Sequence, residues 1–100
     1  MIKIKQNNTD PNKSLERILL QKKGGKTTAR MIELLLVRPY NSNQIAKNLD
    51  ISYNTAYYHF QLMLKLGLVE KEETKYGTYY MANDNLINAK EKFEQIKKLI

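Results

Sequence analysis

Residues 42–68 read SNQIAKNLDISYNTAYYHFQLMLKLGL, and this stretch decides the fold. Ile45, Ala46 and Leu49 share one face of a short helix that Asn41 or Ser42 caps. Asp50-Ile51 makes a tight turn, Ser52 caps a second helix running to Leu66, and Gly67 is the glycine that ends it. Two helices crossing steeply at so short a turn need a small residue at the crossing, here Ala46. They also need apolar residues bracketing the turn, here Ile45, Leu49 and Ile51. One turn residue must tolerate left-handed backbone. Glycine is the usual choice, and Asp50 fills the place because short polar side chains visit that region. Ala56 packs the second helix back on the first. This is the pattern of a helix-turn-helix.

The second helix has two faces. Ala56, Phe60 and Met63 recur at spacings of four and three and form the buried side. His59 adjoins them and is read as a structural residue. Tyr53, Asn54, Tyr57, Tyr58, Gln61 and Lys65 lie mostly elsewhere, and the helix carries no acid that would repel phosphate. Asn and Gln amides can pair with adenine in a major groove. Tyrosine hydroxyls can reach phosphates, and their rings can pack on thymine methyls. Ser52 and Thr55 stand near the helix N-terminus, where free N–H groups suit an anion.

Upstream, Asp10-Pro11 opens a helix over 11–22 with an apolar stripe of Leu15, Ile18 and Leu19, ended by Gly24-Gly25. A further helix starts near Thr27 or Thr28, turns Ile32, Leu35 and Leu36 inward and stops before Pro39. Downstream, residues 68–73 and 78–82 are strand-like and are joined by Thr74-Lys75-Tyr76-Gly77, which makes a hairpin. Asn83 or Asp84 caps a last helix running to Ile100. Ile2-Lys3-Ile4-Lys5 alternates like a short strand and is followed by a polar stretch. The fold class is therefore mainly α with a small β-hairpin wing, a winged helix-turn-helix. Its parts are a leader over 1–9, the domain proper over 10–83, and a terminal helix over 84–100.

One hundred residues make one domain, and no apolar run is long enough to span a membrane. The N-terminus has no apolar segment of the kind that signal peptides carry. Cysteine is absent and there is a single histidine, so neither a metal nor a cofactor is expected, and a cytoplasmic location is. The net charge is +7. Residues 1–40 hold nine Lys and Arg against three acids, and residues 41–100 hold eight against seven. Such an excess suits a polyanionic partner. Gly25-Lys26-Thr27 resembles the end of a phosphate-binding loop, but Leu20 stands where that motif needs glycine. No nucleophile has a recognisable context, so no enzyme activity is expected.

With Arg38-Pro39-Tyr40-Asn41-Ser42-Asn43-Gln44-Ile45-Ala46, Ile51-Ser52-Tyr53-Asn54-Thr55-Ala56-Tyr57-Tyr58-His59-Phe60 and Leu66-Gly67-Leu68-Val69 in view, the chain resembles the archaeal and bacterial ArsR-like winged helix-turn-helix family. The resemblance covers about residues 27–83 and is strongest to archaeal members. It implies a transcription regulator, such as a repressor, that binds double-stranded DNA with residues 53–66 in the major groove. It implies a wing tip at 74–77 on the backbone or minor groove, with Lys71, Lys75 and Tyr76 as contacts, although Glu70, Glu72 and Glu73 stand beside them. Lys26, Thr28 and Arg30 are implied backbone contacts. Metal-sensing members carry cysteines where this chain reads Ser42-Asn43-Gln44-Ile45-Ala46-Lys47-Asn48-Leu49, so metal sensing does not transfer.

Leu86, Ala89, Phe93, Ile96 and Ile100 are spaced three, four, three and four, a short heptad stripe. In similar proteins the first and last helices form a dimer interface, so these residues with Leu15 and Leu19 are expected between two copies. The alternative is that the stripe packs on the first helix of its own chain. Among competing functions, a protein–protein adaptor would use the same tyrosines. A non-specific architectural role would use the charge. RNA binding lacks the aromatic sheet motif it usually needs.

Overall fold

The computed structural model describes residues 10–100, so the alternating segment at Ile2–Lys5 lies outside the described residues. Helix α1 (Pro11–Leu20) starts as its sequence dictates: Pro11 occupies the first turn, and the Asp10 carboxylate accepts from the Asn12 N–H at 3.0 Å. Helix α2 (Gly25–Leu35) begins two residues before Thr27. The reason is steric. A Cβ on Gly25 would stand 2.1 Å from the Leu19 carbonyl oxygen, so the two helices meet backbone to backbone, and only glycine permits that turn.

Helix α3 (Ser42–Leu49) opens with a reciprocal cap. The Asn41 side chain accepts from the Gln44 N–H at 2.8 Å, and the Gln44 side chain accepts from the Asn41 N–H at 3.0 Å. It ends at Asp50, whose φ of 56° and ψ of 49° are the left-handed conformation that the turn required. Helix α4 (Tyr53–Lys65) follows, capped by Ser52, and the Leu68 N–H returns to the Met63 carbonyl to close its far end.

Strands β2 (Val69–Thr74) and β3 (Gly77–Ala82) form the wing. A two-residue strand β1 (Tyr40–Asn41) pairs with the other side of β3, giving the antiparallel order β1-β3-β2. No sequence signal pointed to β1, because two residues after a proline carry no periodicity. The terminal segment is not one helix. It breaks at Ala89 into α5 (Asp84–Asn88) and α6 (Lys90–Lys97). The break lets α5 lie on β3 while α6 lies along α1. Asn83 and Asn85 both donate to the Gly67 carbonyl, at 2.7 and 3.2 Å, and pin that corner.

One apolar core runs through all the helices. Leu15, Leu19, Leu86, Ala89, Phe93 and Ile96, the residues expected between two copies, are at most 4% exposed within a single chain. The stripe on α6 covers the stripe on α1, so the intramolecular alternative is the one realised. A chain of this size has few apolar side chains and needs these for its own core. Of the expected set only Ile100 stays open, at 36%. Glu16–Lys92 (3.0 Å) ties α1 to α6, and Glu33–Lys97 (2.7 Å) ties α2 to α6.

Candidate nucleic-acid interface

Packing decides which face of α4 is presented. Ala56, His59, Phe60 and Met63 are buried, and the Phe60 ring stacks on Tyr80 of β3 with centroids 3.9 Å apart. His59 Nδ1 lies 3.1 Å from the Thr28 hydroxyl, and its ring rests on Gly24, where a Cβ would come within 2.9 Å of Cε1. Burial lowers the His59 pKa below the ordinary 6.5 by disfavouring the charged ring. Thr28 is therefore not a backbone contact. It is fully buried and satisfies His59 from behind.

The opposite face is open. Tyr53, Tyr57 and Tyr58 are each about half exposed, and Asn54, Thr55 and Lys65 are exposed beside them. The rings of Tyr53 and Tyr57 stack one turn apart, with centroids 6.2 Å apart and planes inclined by 14°. No carboxylate occurs from Ile51 to Val69. Ser52 accepts from the Thr55 N–H at 3.0 Å and donates to the Thr55 hydroxyl at 2.9 Å, so capping accounts for it without excluding a phosphate. Gln61 is half-buried and donates to the Tyr80 hydroxyl at 3.3 Å, which ties its amide to the wing and leaves Asn54 as the open amide of this helix.

The wing stands beside this face. Residues paired across an antiparallel ladder share a side of the sheet, and Lys71 pairs with Tyr80, which packs on α4. Glu70 and Glu72 therefore project from the other side, whereas Glu73 shares the side of Lys71 and lies 3.6 Å from its ammonium. That pair reduces the charge Lys71 can offer a phosphate. At the tip, Thr74 accepts from the Tyr76 N–H and donates to the Gly77 carbonyl, both at 3.0 Å. This shapes the turn that carries exposed Lys75 and Tyr76. Lys26 and Arg30 are exposed on α2, and among the described residues neither pairs with a carboxylate. Among the described residues no group of three or more His, Cys, Asp or Glu could hold a metal, and no helix is long and apolar enough to cross a membrane.

A helix-turn-helix flanked by an antiparallel hairpin, with an acid-free polar face on its second helix, defines a winged helix-turn-helix of the DNA-binding class. The model of the bacterial regulatory protein arsR family matches residues 25–71, from the start of α2 into β2. Among solved structures, reduced HlyU from Vibrio cholerae N16961 is similar over 88% of this chain and 90% of its own, with TM-score 0.66 and 17% identity. A second HlyU structure from Vibrio cholerae N16961 has TM-score 0.64, 17% identity and coverage of 88% and 94%. ST1889 protein from the thermoacidophilic archaeon Sulfolobus tokodaii has TM-score 0.59 and 18% identity over 93% of this chain and 94% of its own. At these identities the likeness is one of fold. No curated protein sequence matches the chain.

Proposed function

We propose that the protein is a transcription regulator that binds double-stranded DNA at a specific sequence as a homodimer in the cytoplasm. The observation that carries this reading is the open face of α4, where Asn54 and three tyrosines are presented over a helix free of carboxylates. On this reading α4 enters the major groove, and Asn54 contacts a base edge. Lys65, Lys75 and Tyr76 meet phosphates, with Lys26 and Arg30 on α2 reaching the flanking backbone and Lys71 contributing less because of Glu73. Repression follows where the bound site overlaps a promoter. For the dimer, the terminal segment offers the exposed apolar side chains Ile87, Leu99 and Ile100, while Leu20 and Val37 are exposed elsewhere. Two recognition helices about 34 Å apart would then read a near-palindromic site.

Selection from randomised duplex DNA, followed by titration of the winner at rising salt, tests this. A near-palindromic winner is expected, with the log of affinity falling by about 0.9 per neutralised phosphate for each log unit of salt. Weak binding without preference would replace the reading with an architectural role. A shallow salt slope would favour the adaptor.

A further inference from the structure

Between α4 and the wing lies a cleft of about 240 Å³. Tyr53 and Tyr57 line it from α4, Tyr76 from the wing tip, Tyr80 from β3, and Asn41 and Asn43 from the start of α3. None of its lining residues is Lys, Arg, Asp or Glu, in a chain that is 27% charged. With no charged side chain in its lining, the cleft favours a neutral occupant over an ion.

The walls describe the occupant. Tyr53 and Tyr57 stack nearly parallel on each other and both line the cleft, so one wall is aromatic and favours a planar ring over an aliphatic one. Tyr80 is 3% exposed, stacked on Phe60 and bonded by Gln61, so that part of the lining is held in place before anything binds. Asn41, Ser42 and Asn43 supply hydrogen-bonding groups at one edge. Pockets for drug-sized ligands measure roughly 300–1,000 Å³, so a smaller cleft fits a single ring system. The structure assigns this cleft as an effector site for a small, neutral, planar aromatic molecule with a hydrogen-bonding edge, whose binding competes with DNA. The competition rests on the reading of α4 and the wing as the DNA interface, because Tyr53, Tyr57 and Tyr76 would serve both. For full exclusion, ligand at 100 times its dissociation constant weakens apparent DNA affinity about 100-fold.

The test begins without DNA. Phenol and adenine are titrated into the full chain, with cyclohexanol as a non-planar control, and tyrosine ring resonances are followed by NMR. Saturable shifts at Tyr53, Tyr57 and Tyr76 with phenol or adenine, absent with cyclohexanol, are expected. Tyr57→Ala and Tyr76→Ser should each abolish them at an unchanged melting temperature. Dispersed or unsaturable shifts, or equal binding of cyclohexanol, would overturn the site. The selected duplex is then titrated at rising phenol or adenine, and a loss of DNA affinity that tracks ligand occupancy is expected. Saturable ligand binding that leaves DNA affinity unchanged would overturn the competition. Failure to bind DNA in the absence of ligand would instead strike the proposed function and leave the cleft standing.

Discussion

The Thr28 hydroxyl on α2 and Nδ1 of His59 on α4 lie 3.1 Å apart in the buried interior. The helix that presents Asn54 and the tyrosines is thereby fastened from its hidden side, and Gly24 leaves room for the imidazole. Thr28→Val keeps the shape and removes the partner. It should cost about 1–3 kcal/mol, the penalty of an unsatisfied buried polar group. Urea denaturation would show this as a lower midpoint at unchanged slope.

The burial of His59 also makes stability depend on pH. Burial depresses the folded-state pKa of His59 below 6.5, so below that pH the unfolded chain binds the proton more readily than the native one. Stability should be level above about pH 6.5, where both states hold the ring neutral. It should fall as pH drops below that value and level again once the native ring titrates. Denaturation of His59→Gln across the same range should lose this step.

Gly25→Ala would place a Cβ 2.1 Å from the Leu19 carbonyl oxygen, which is backbone and cannot swing aside. Overpacking of this kind costs about 1–3 kcal/mol and occasionally more. Thermal melting should show a clear loss, whereas Gly77→Ala, with nothing within 4 Å, should show only the strain of its left-handed backbone.

Phe93 is fully buried within one chain. Phe93→Ala should destabilise the fold by about 3–5 kcal/mol at every protein concentration. Denaturation at several concentrations, with sedimentation of the folded fraction, checks this. A variant that kept its stability but dissociated would put Phe93 back between two copies.

Asn54→Ala should relax preference at one base pair by roughly 1–3 kcal/mol while leaving other positions intact. Lys75→Ala should weaken all sequences alike and flatten the log–log salt slope by about 0.9. Competition binding on single-base variants of the selected site, repeated at several salt concentrations, separates the two.

The helix-turn-helix was legible because its signals are local. Asn41 and Ser52 cap, Asp50 turns, and Ile45, Leu49, Ala56, Phe60 and Met63 follow helical spacing, all within one stretch of chain. The hairpin was equally plain, since its alternation and its glycine lie within a few residues. Much of the candidate site was legible for the same reason: residues that are polar and opposite an apolar stripe on one helix must face outward.

What stayed hidden depends on residues far apart in the chain. Thr28 and Gln61 look like free polar side chains until His59 and Tyr80 are brought to them. The tyrosine cleft joins residues from α3, α4 and the wing, and no spacing announces it. The stripe of Leu86, Ala89, Phe93 and Ile96 states that a face must be covered. Periodicity is a property of one helix and cannot say what covers it. Only the folded chain, by laying α6 along α1, shows that the cover is its own first helix.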